Sequence, residues 1–109
     1  MKSSDRYLVD GVLCHLDGRG LPVANLSVGG LFAATDRPPL PGQVIALEIS
    51  IGETSRYPVT GLVTWVNGPD RLKAPHLPLG FGVKITRIGM PAKLAILNVL
   101  KRATFPKSP

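Results

Sequence analysis

Cysteine, long apolar runs and acidic residues in the second half are scarce in this sequence. Its one cysteine, Cys14, excludes an intramolecular disulfide, so nothing favours an oxidising compartment. No stretch approaches the ~18 apolar residues of a membrane-spanning helix. The polar start over residues 1–6 does not resemble a signal peptide. We therefore expect a cytoplasmic protein without membrane insertion.

Motifs that carry catalysis are also missing. His15 and His76 are predicted in separate loops, with no cysteine or histidine at metal-ligand spacing. The flanks of Ser27 do not match a nucleophile elbow, and no phosphate loop or dinucleotide fingerprint is present. Cys14 lies in a predicted strand, where we interpret it as a small core residue rather than a nucleophile. We expect no enzyme, no metal and no cofactor.

The positive charge of the chain is concentrated in its second half. The 109 residues carry a net charge of +6. Residues 1–55 hold four basic and six acidic side chains, whereas residues 56–109 hold nine basic side chains and one acidic residue, Asp70. A positive half attracts nucleic acid, phosphate ligands, acidic lipids or acidic proteins, although such charge is also typical of a solvated face. Aromatic residues make up only 6%, so stacking platforms are few and nucleic acid is disfavoured as a partner.

Glycine and proline are abundant and scattered, which favours many short strands joined by tight turns. A first strand is predicted over residues 7–14, and the sequence HLDGRG over 15–20 is typical of a hairpin turn. The apolar residues 21–24 precede the sequence NLSVGG, and the mainly apolar residues 31–35 follow it. The proline-rich stretch 36–43 is predicted to be a loop.

Three later segments alternate in hydrophobicity, which is typical of strands with one buried face. In VIALEISI the buried face is predicted to be Ile45, Leu47, Ile49 and Ile51. In RYPVTGLVTWV it is predicted to be Tyr57, Val59, Gly61, Val63 and Trp65. In FGVKITRI it is Phe81, Val83 and Ile85. Pro58 indicates an edge or a bulge, and Gly61 a bend or a close approach.

A single helix is predicted at the end of the chain, over residues 91–103. Pro91 suits its first turn, and the apolar residues that follow at helical spacing are Ala92, Ile96, Val99, Leu100 and Ala103. Residues 104–109 are predicted to be a tail. Six short antiparallel strands leave two open edges unless the sheet closes. We therefore expect one domain over residues 1–109, mainly β, in which a six-stranded antiparallel barrel is followed by a C-terminal helix.

The sequence NLSVGG contains the pattern Asn25-x-Ser27-x-x-Gly30. This resembles the [D/N]-x-S-x-x-G signature of the PilZ domain family. The surroundings extend the resemblance over nearly the whole chain: a small apolar strand, a loop ending in PGQ, and strands like VIALEISI, GLVTWV and GFGVKI precede the helix. The resemblance implies the PilZ barrel with its following helix.

Many PilZ domains are non-catalytic receptors for the bacterial second messenger cyclic di-GMP. In such receptors the [D/N]-x-S-x-x-G motif holds one side of the nucleotide, and an N-terminal R-x-x-x-R segment wraps the other. Guanidinium groups suit this ligand because they bind phosphate and guanine bidentately and also stack. The resemblance implies cyclic di-GMP as the ligand and a protein partner in a motility, pilus or surface system. The implied ligand-binding residues are Lys2, Arg6, Asn25, Ser27, Gly29 and Gly30.

The N-terminal motif departs from the family pattern. Lys2 and Arg6 form K-x-x-x-R, and lysine offers a point charge without the planar fork of arginine. Residues 1–6 are predicted to be a flexible segment, which fits either a ligand-binding arm or an ordinary polar tail. A second class within the family lacks the arginines and acts through protein contacts alone. The alternative hypothesis is therefore an adaptor that does not bind cyclic di-GMP, in which Asn25 and Ser27 merely satisfy backbone groups at a strand end.

Overall fold

The computed structural model of the chain describes residues 7–8, 11–52, 55–68 and 77–104. Its elements in chain order are β1 (Tyr7–Leu8), β2 (Val12–Leu16), β3 (Arg19–Ser27), β4 (Gly30–Ala34), β5 (Val44–Ile51), β6 (Ser55–Asn67), β7 (Gly80–Ile88) and α1 (Met90–Thr104). All strand pairs are antiparallel.

Strands β2 to β7 close into a six-stranded barrel. The order of pairing is β3-β2-β5-β6-β7-β4, and β4 then pairs with β3. Closure requires β3 to pair with β2 through residues 19–22 and with β4 through residues 23–27. The two residues of β1 add to β3 outside this ring, at Leu26 and Asn25. The sheet therefore closes as predicted, because the ring of pairings removes the open edges.

Tight turns set the hairpins of the barrel. Asp17 and Gly18 join β2 to β3 with φ values of 52° and 80°, the left-handed conformation that a two-residue hairpin turn requires. Gly42 has φ 88° and donates its N–H to the Val63 carbonyl, at 2.7 Å, where the proline-rich loop returns to the sheet. The predicted hairpin at HLDGRG and the predicted loop over 36–43 are both confirmed.

The barrel interior contains the predicted apolar faces. Ile45, Leu47 and Ile49 of β5 are buried, and Ile51 packs against the same core. Phe81 and Val83 of β7 are fully buried. Pro58 lies where β6 extends beyond its pairing with β7, which begins at Val59. The predicted edge position of Pro58 is therefore confirmed.

One predicted inward residue faces the other way. Trp65 was expected beside Val63 in the core, but the pairing of β6 with β7 shifts between these two residues. The bulge adds one residue, Thr64, whose hydroxyl donates to the Gly82 carbonyl at 3.3 Å. The alternation therefore reverses, so that Val66 packs against the core and Trp65 lies outside it. The inward prediction for Trp65 was wrong.

Two predictions for the first hairpin also need correction. The strand predicted over residues 7–14 is divided into β1 and β2, and Gly11, which precedes β2, has φ 76°. His15 was predicted in a loop but lies on β2, where it pairs with Gly20 and Glu48. Its Nε2 lies 2.9 Å from the Ser50 hydroxyl across the strands. His76 lies outside the described residues.

Helix α1 packs against β1, β3 and β6. Ala92, Ile96 and Val99 are buried and Leu100 packs against the core, as the helical spacing predicted. In the part of the chain that the structure describes, no helix is long and apolar enough to cross a membrane. The predicted N-terminal segment 1–6 and most of the predicted tail, residues 105–109, lie outside the described residues.

Cys14 is a core residue, as predicted. Its side chain is fully buried, and burial raises the pKa of the thiol from 9.0 to about 12. Between these values the unfolded chain loses the thiol proton while the folded protein keeps it. The free energy of unfolding therefore falls as the pH rises through this window, by at most about 1.4 kcal/mol per pH unit from this group.

We predict that Cys14→Ala removes this component of the alkaline pH dependence. Urea unfolding of both proteins at several pH values from neutral to strongly alkaline measures it. The variant is less stable at neutral pH because a cavity replaces the thiol, but its stability declines less steeply above pH ~9. Parallel stability curves for the two proteins would contradict the burial of an un-ionised thiol.

Candidate functional site

The motif residues lie together at one end of the β3–β4 hairpin. Asn25 and Ser27 belong to β3, Gly30 begins β4, and Gly29 lies in the two-residue connection between them. Ser27 pairs directly with Gly30, and Asn25 pairs with Phe32. The structure therefore brings together four of the six predicted site residues. Lys2 and Arg6 lie outside the described residues.

Ser27 holds the turn together. Its hydroxyl oxygen accepts the N–H groups of Gly29 and Gly30, at 3.2 and 3.1 Å, and the hydroxyl lies 3.3 Å from the Gly30 carbonyl to which it donates. The residue is only 3% exposed. These contacts satisfy the polar groups of the turn internally. Ser27 therefore shapes the hairpin, and a ligand over it would meet the backbone and neighbouring side chains first.

Gly29 offers space rather than an unusual backbone conformation. The described residues with positive φ do not include Gly29 or Gly30. Neither glycine therefore adopts the left-handed backbone conformation that favours glycine. Among the described residues other than its chain neighbours, the atom nearest to a Cβ atom on Gly29 would be the Ser27 hydroxyl oxygen, at 4.0 Å. Gly29 is exposed, so the turn presents its backbone at this position, whereas Gly30 is buried.

Asn25 faces out of the barrel because of a bulge. Strict alternation would place it on the same face as buried Val23, but the pairing with β4 shifts between these residues. Leu26 consequently takes the buried position, and Asn25 lies half-buried beside Phe32 on the outer face.

An aromatic pair lies next to Asn25 on this outer face. Phe32 pairs with Gly82 of β7, which in turn pairs with Trp65 of β6. The two rings meet across the glycine, with centroids 5.2 Å apart and planes at 39°. Phe32 is completely covered, whereas Trp65 is half-buried. One row on the outer face therefore contains Asn25, Phe32, Gly82 and Trp65, and it places a polar group beside an aromatic pair whose indole is partly exposed. Strict alternation did not predict this row.

A family model described as a PilZ domain matches residues 3–102 of the chain. The chain belongs to the PilZ domain family. The family that the motif NLSVGG indicated is therefore confirmed, and the matched range includes the hairpin, the aromatic pair and most of α1.

Two solved structures resemble this PilZ domain. The Bacillus subtilis inhibitor of motility, MotI/DgrA, matches with a TM-score of 0.72 and 16% identity over 100% of this chain and 54% of its own, so this chain spans about half of it. The PilZ domain of YcgR from Escherichia coli, solved with cyclic di-GMP, matches with a TM-score of 0.64 and 12% identity over 97% of this chain and 96% of its own. No curated protein sequence matches the chain. At these identities the likeness shows the fold, and it confirms the predicted PilZ barrel with its C-terminal helix.

Another part of the barrel carries a second set of polar side chains. His15, Glu48 and Arg56 line a depression of about 420 Å³. Arg56 and Glu48 form an ion pair at 3.4 Å, with both side chains about half exposed, which makes the pair weak. Within the described ranges no group of three histidine, cysteine or carboxylate side chains could hold a metal ion. This depression does not touch the motif residues of the PilZ domain.

The aromatic pair depends on the absence of a side chain at position 82. A Cβ atom on Gly82 would overlap the indole of Trp65 at Nε1. We predict that Gly82→Ala displaces the indole from Phe32, lowers the free energy of unfolding by about 1–3 kcal/mol, and shifts the emission of the chain's single tryptophan. Fluorescence spectra and urea unfolding measure both effects.

The matched control is Gly68→Ala, whose Cβ would meet Val66 Cγ1 at an ordinary 3.7 Å among the described residues. We expect this variant to keep the wild-type emission maximum. An unchanged emission maximum in Gly82→Ala would show that the indole does not lie over Gly82.

Proposed function

We propose that this PilZ domain is a non-catalytic bacterial receptor or adaptor that binds cyclic di-GMP in the cytoplasm and relays its level to a protein partner. The observation on which the proposal rests is the strand-pairing register of the row on the outer face that contains Asn25. Leu8 of β1 pairs with Asn25, and Asn25 pairs with Phe32. The N-terminal strand, the polar motif and the aromatic surface therefore adjoin each other, although they are distant in sequence.

The chemistry of this row suits a cyclic dinucleotide. Asn25 provides an amide that can donate to and accept from a guanine edge. Trp65 provides an aromatic surface, and base stacking on such rings is worth about 1–3 kcal/mol per base. The exposed backbone at Gly29 allows a phosphate or sugar to approach closely.

The N-terminal arginine would complete the contacts. Arg6 directly precedes Tyr7, whose partner on β3 is Leu26, the neighbour of Ser27. A guanidinium binds phosphate or guanine bidentately. A ligand held by both Arg6 and the hairpin would couple the N-terminal segment to the barrel. Such coupling is one way for a messenger to change the affinity for a partner in a motility, pilus or surface system. The YcgR domain, solved with this nucleotide, is the related protein that supports the ligand class.

We predict that calorimetric titration with cyclic di-GMP gives a dissociation constant in the micromolar range or below. Arg6→Ala and Asn25→Ala should each weaken binding by about tenfold or more, because each removes a polar contact to the ligand. Binding should also change the emission of Trp65, since the indole lies in the same row as Asn25.

The control is Arg37→Ala, which removes the same charge from an exposed loop residue and should bind like the wild type. Ser27→Ala is a poorer test, because losing its three hydrogen bonds also disturbs the turn. Absence of heat and of fluorescence change at high nucleotide concentration would overturn the receptor proposal.

A second candidate function is a nucleotide-independent adaptor. The observation that favours it is the state of Ser27, whose hydroxyl already serves the turn and is almost fully covered. The motif would then be structural, and a lysine instead of an arginine at position 2 would not impair the function of the protein.

We predict that a protein partner captured from the native host depends on nucleotide if the receptor proposal is correct. Capture with the wild type and with Asn25→Ala, each with and without added cyclic di-GMP, separates the two functions. Under the receptor proposal the nucleotide changes the partner yield only for the wild type. Equal yields in all four conditions would favour the adaptor.

A further inference from the structure

A lysine lies across the hairpin from the N-terminal strand. Lys84 of β7 pairs directly with Gly30, and Gly30 pairs with Ser27. Its chain neighbour Val83 is fully buried and Ile85 packs against the core, whereas Lys84 is exposed on the outer face. The strand order β1–β3–β4–β7 therefore places the motif hairpin between the N-terminal strand and Lys84.

The backbone fixes this position. The N–H of Ile85 donates to the Gly29 carbonyl at 2.9 Å, so β7 is tied to the turn of the motif one residue after Lys84. Strands in a sheet lie about 4.8 Å apart, so the backbones of Lys84 and Ser27 are separated by about 10 Å, or two strand spacings. Gly30 fills the row between them without a side chain. The turn with the exposed Gly29 is thus bordered by a cation on β7.

The charge of Lys84 is not compensated by its cross-strand neighbours, Gly30 and Leu62. Across the part of the chain that the structure describes, the ion pair found joins Arg56 and Glu48. Strands β3, β4 and β7 contain no acidic residue. An ammonium without an acidic cross-strand neighbour, next to a hairpin whose Gly29 is exposed, attracts an anion.

We propose that Lys84 contacts a phosphate of the nucleotide from the side of the hairpin opposite β1. This inference rests on the proposed function of the same site, and it names a residue outside both sequence motifs. Lysine binds phosphate as a point charge on a long stem, so it does not need the bidentate geometry of arginine. Lys84 thereby adds a phosphate contact to those of the K-x-x-x-R segment, whose lysine lacks the bidentate fork of arginine.

Calorimetric titration of the full chain with cyclic di-GMP tests the proposal. We expect Lys84→Ala to weaken binding by about tenfold or more, as for loss of a charged contact. Lys84→Arg should remain within a few-fold of the wild type, and Lys84→Glu should bind more weakly than Lys84→Ala. The difference between wild type and Lys84→Ala should shrink as salt rises, because salt screens an exposed charge pair. A merely structural role would not produce this salt dependence.

The matched control is Lys93→Ala, which removes an exposed lysine from α1 and should leave affinity unchanged. If the wild type binds and Arg6→Ala weakens binding while Lys84→Ala matches the wild type, the role of Lys84 is overturned and the proposed function stands. If the wild type does not bind, the proposed function fails and this inference fails with it. Circular dichroism of each variant confirms that the fold is retained.

Discussion

Barrel closure through β3 is the constraint on which the candidate site depends. The strand must pair with β2 over residues 19–22 and with β4 over residues 23–27, and it shifts register as it does so. The shift turns Asn25 out of the barrel and Leu26 into it. The side of β3 that β2 leaves is occupied by β1. Closure thus produces both the outward polar group and the neighbouring N-terminal strand.

A second bulge, on β6, completes the same outer row. It turns Trp65 outward, and the missing side chain of Gly82 allows the indole to reach Phe32. Neither bulge alone would place an amide beside an aromatic surface. The row exists because β3 and β6, which flank β4 and β7, each contain a bulge next to the residue that joins the row. Bulges next to binding sites are common because they redirect a side chain without changing the strand order.

Much of the fold could be predicted from the sequence, because alternation and turn residues are local signals. The strand over 44–51, the Asp17–Gly18 turn and the buried face of α1 all depend on neighbours within a few positions. The error at Trp65 occurs where the pairing with the neighbouring strand, rather than the local sequence, decides which face of the sheet a side chain occupies. Trp65 was placed inward because alternation cannot show a bulge, which exists only in relation to the facing strand. For the same reason, the sequence could not predict that Lys84 lies opposite Gly30.

The hydrogen bonds of Ser27 separate two roles within the motif. A serine that accepts two N–H groups of its own turn is needed for the hairpin whether or not a nucleotide binds. The presence of Ser27 is therefore stronger evidence for the PilZ turn than for binding of cyclic di-GMP. Under the proposed function, the affinity depends on side chains outside these hydrogen bonds: Asn25, the indole of Trp65, Lys84 of β7, and Arg6, which precedes β1 in the sequence. Since Lys84 and Arg6 are not part of the NLSVGG motif, the charge outside the motif is, under the proposed function, the property that would distinguish a receptor from an adaptor with the same fold.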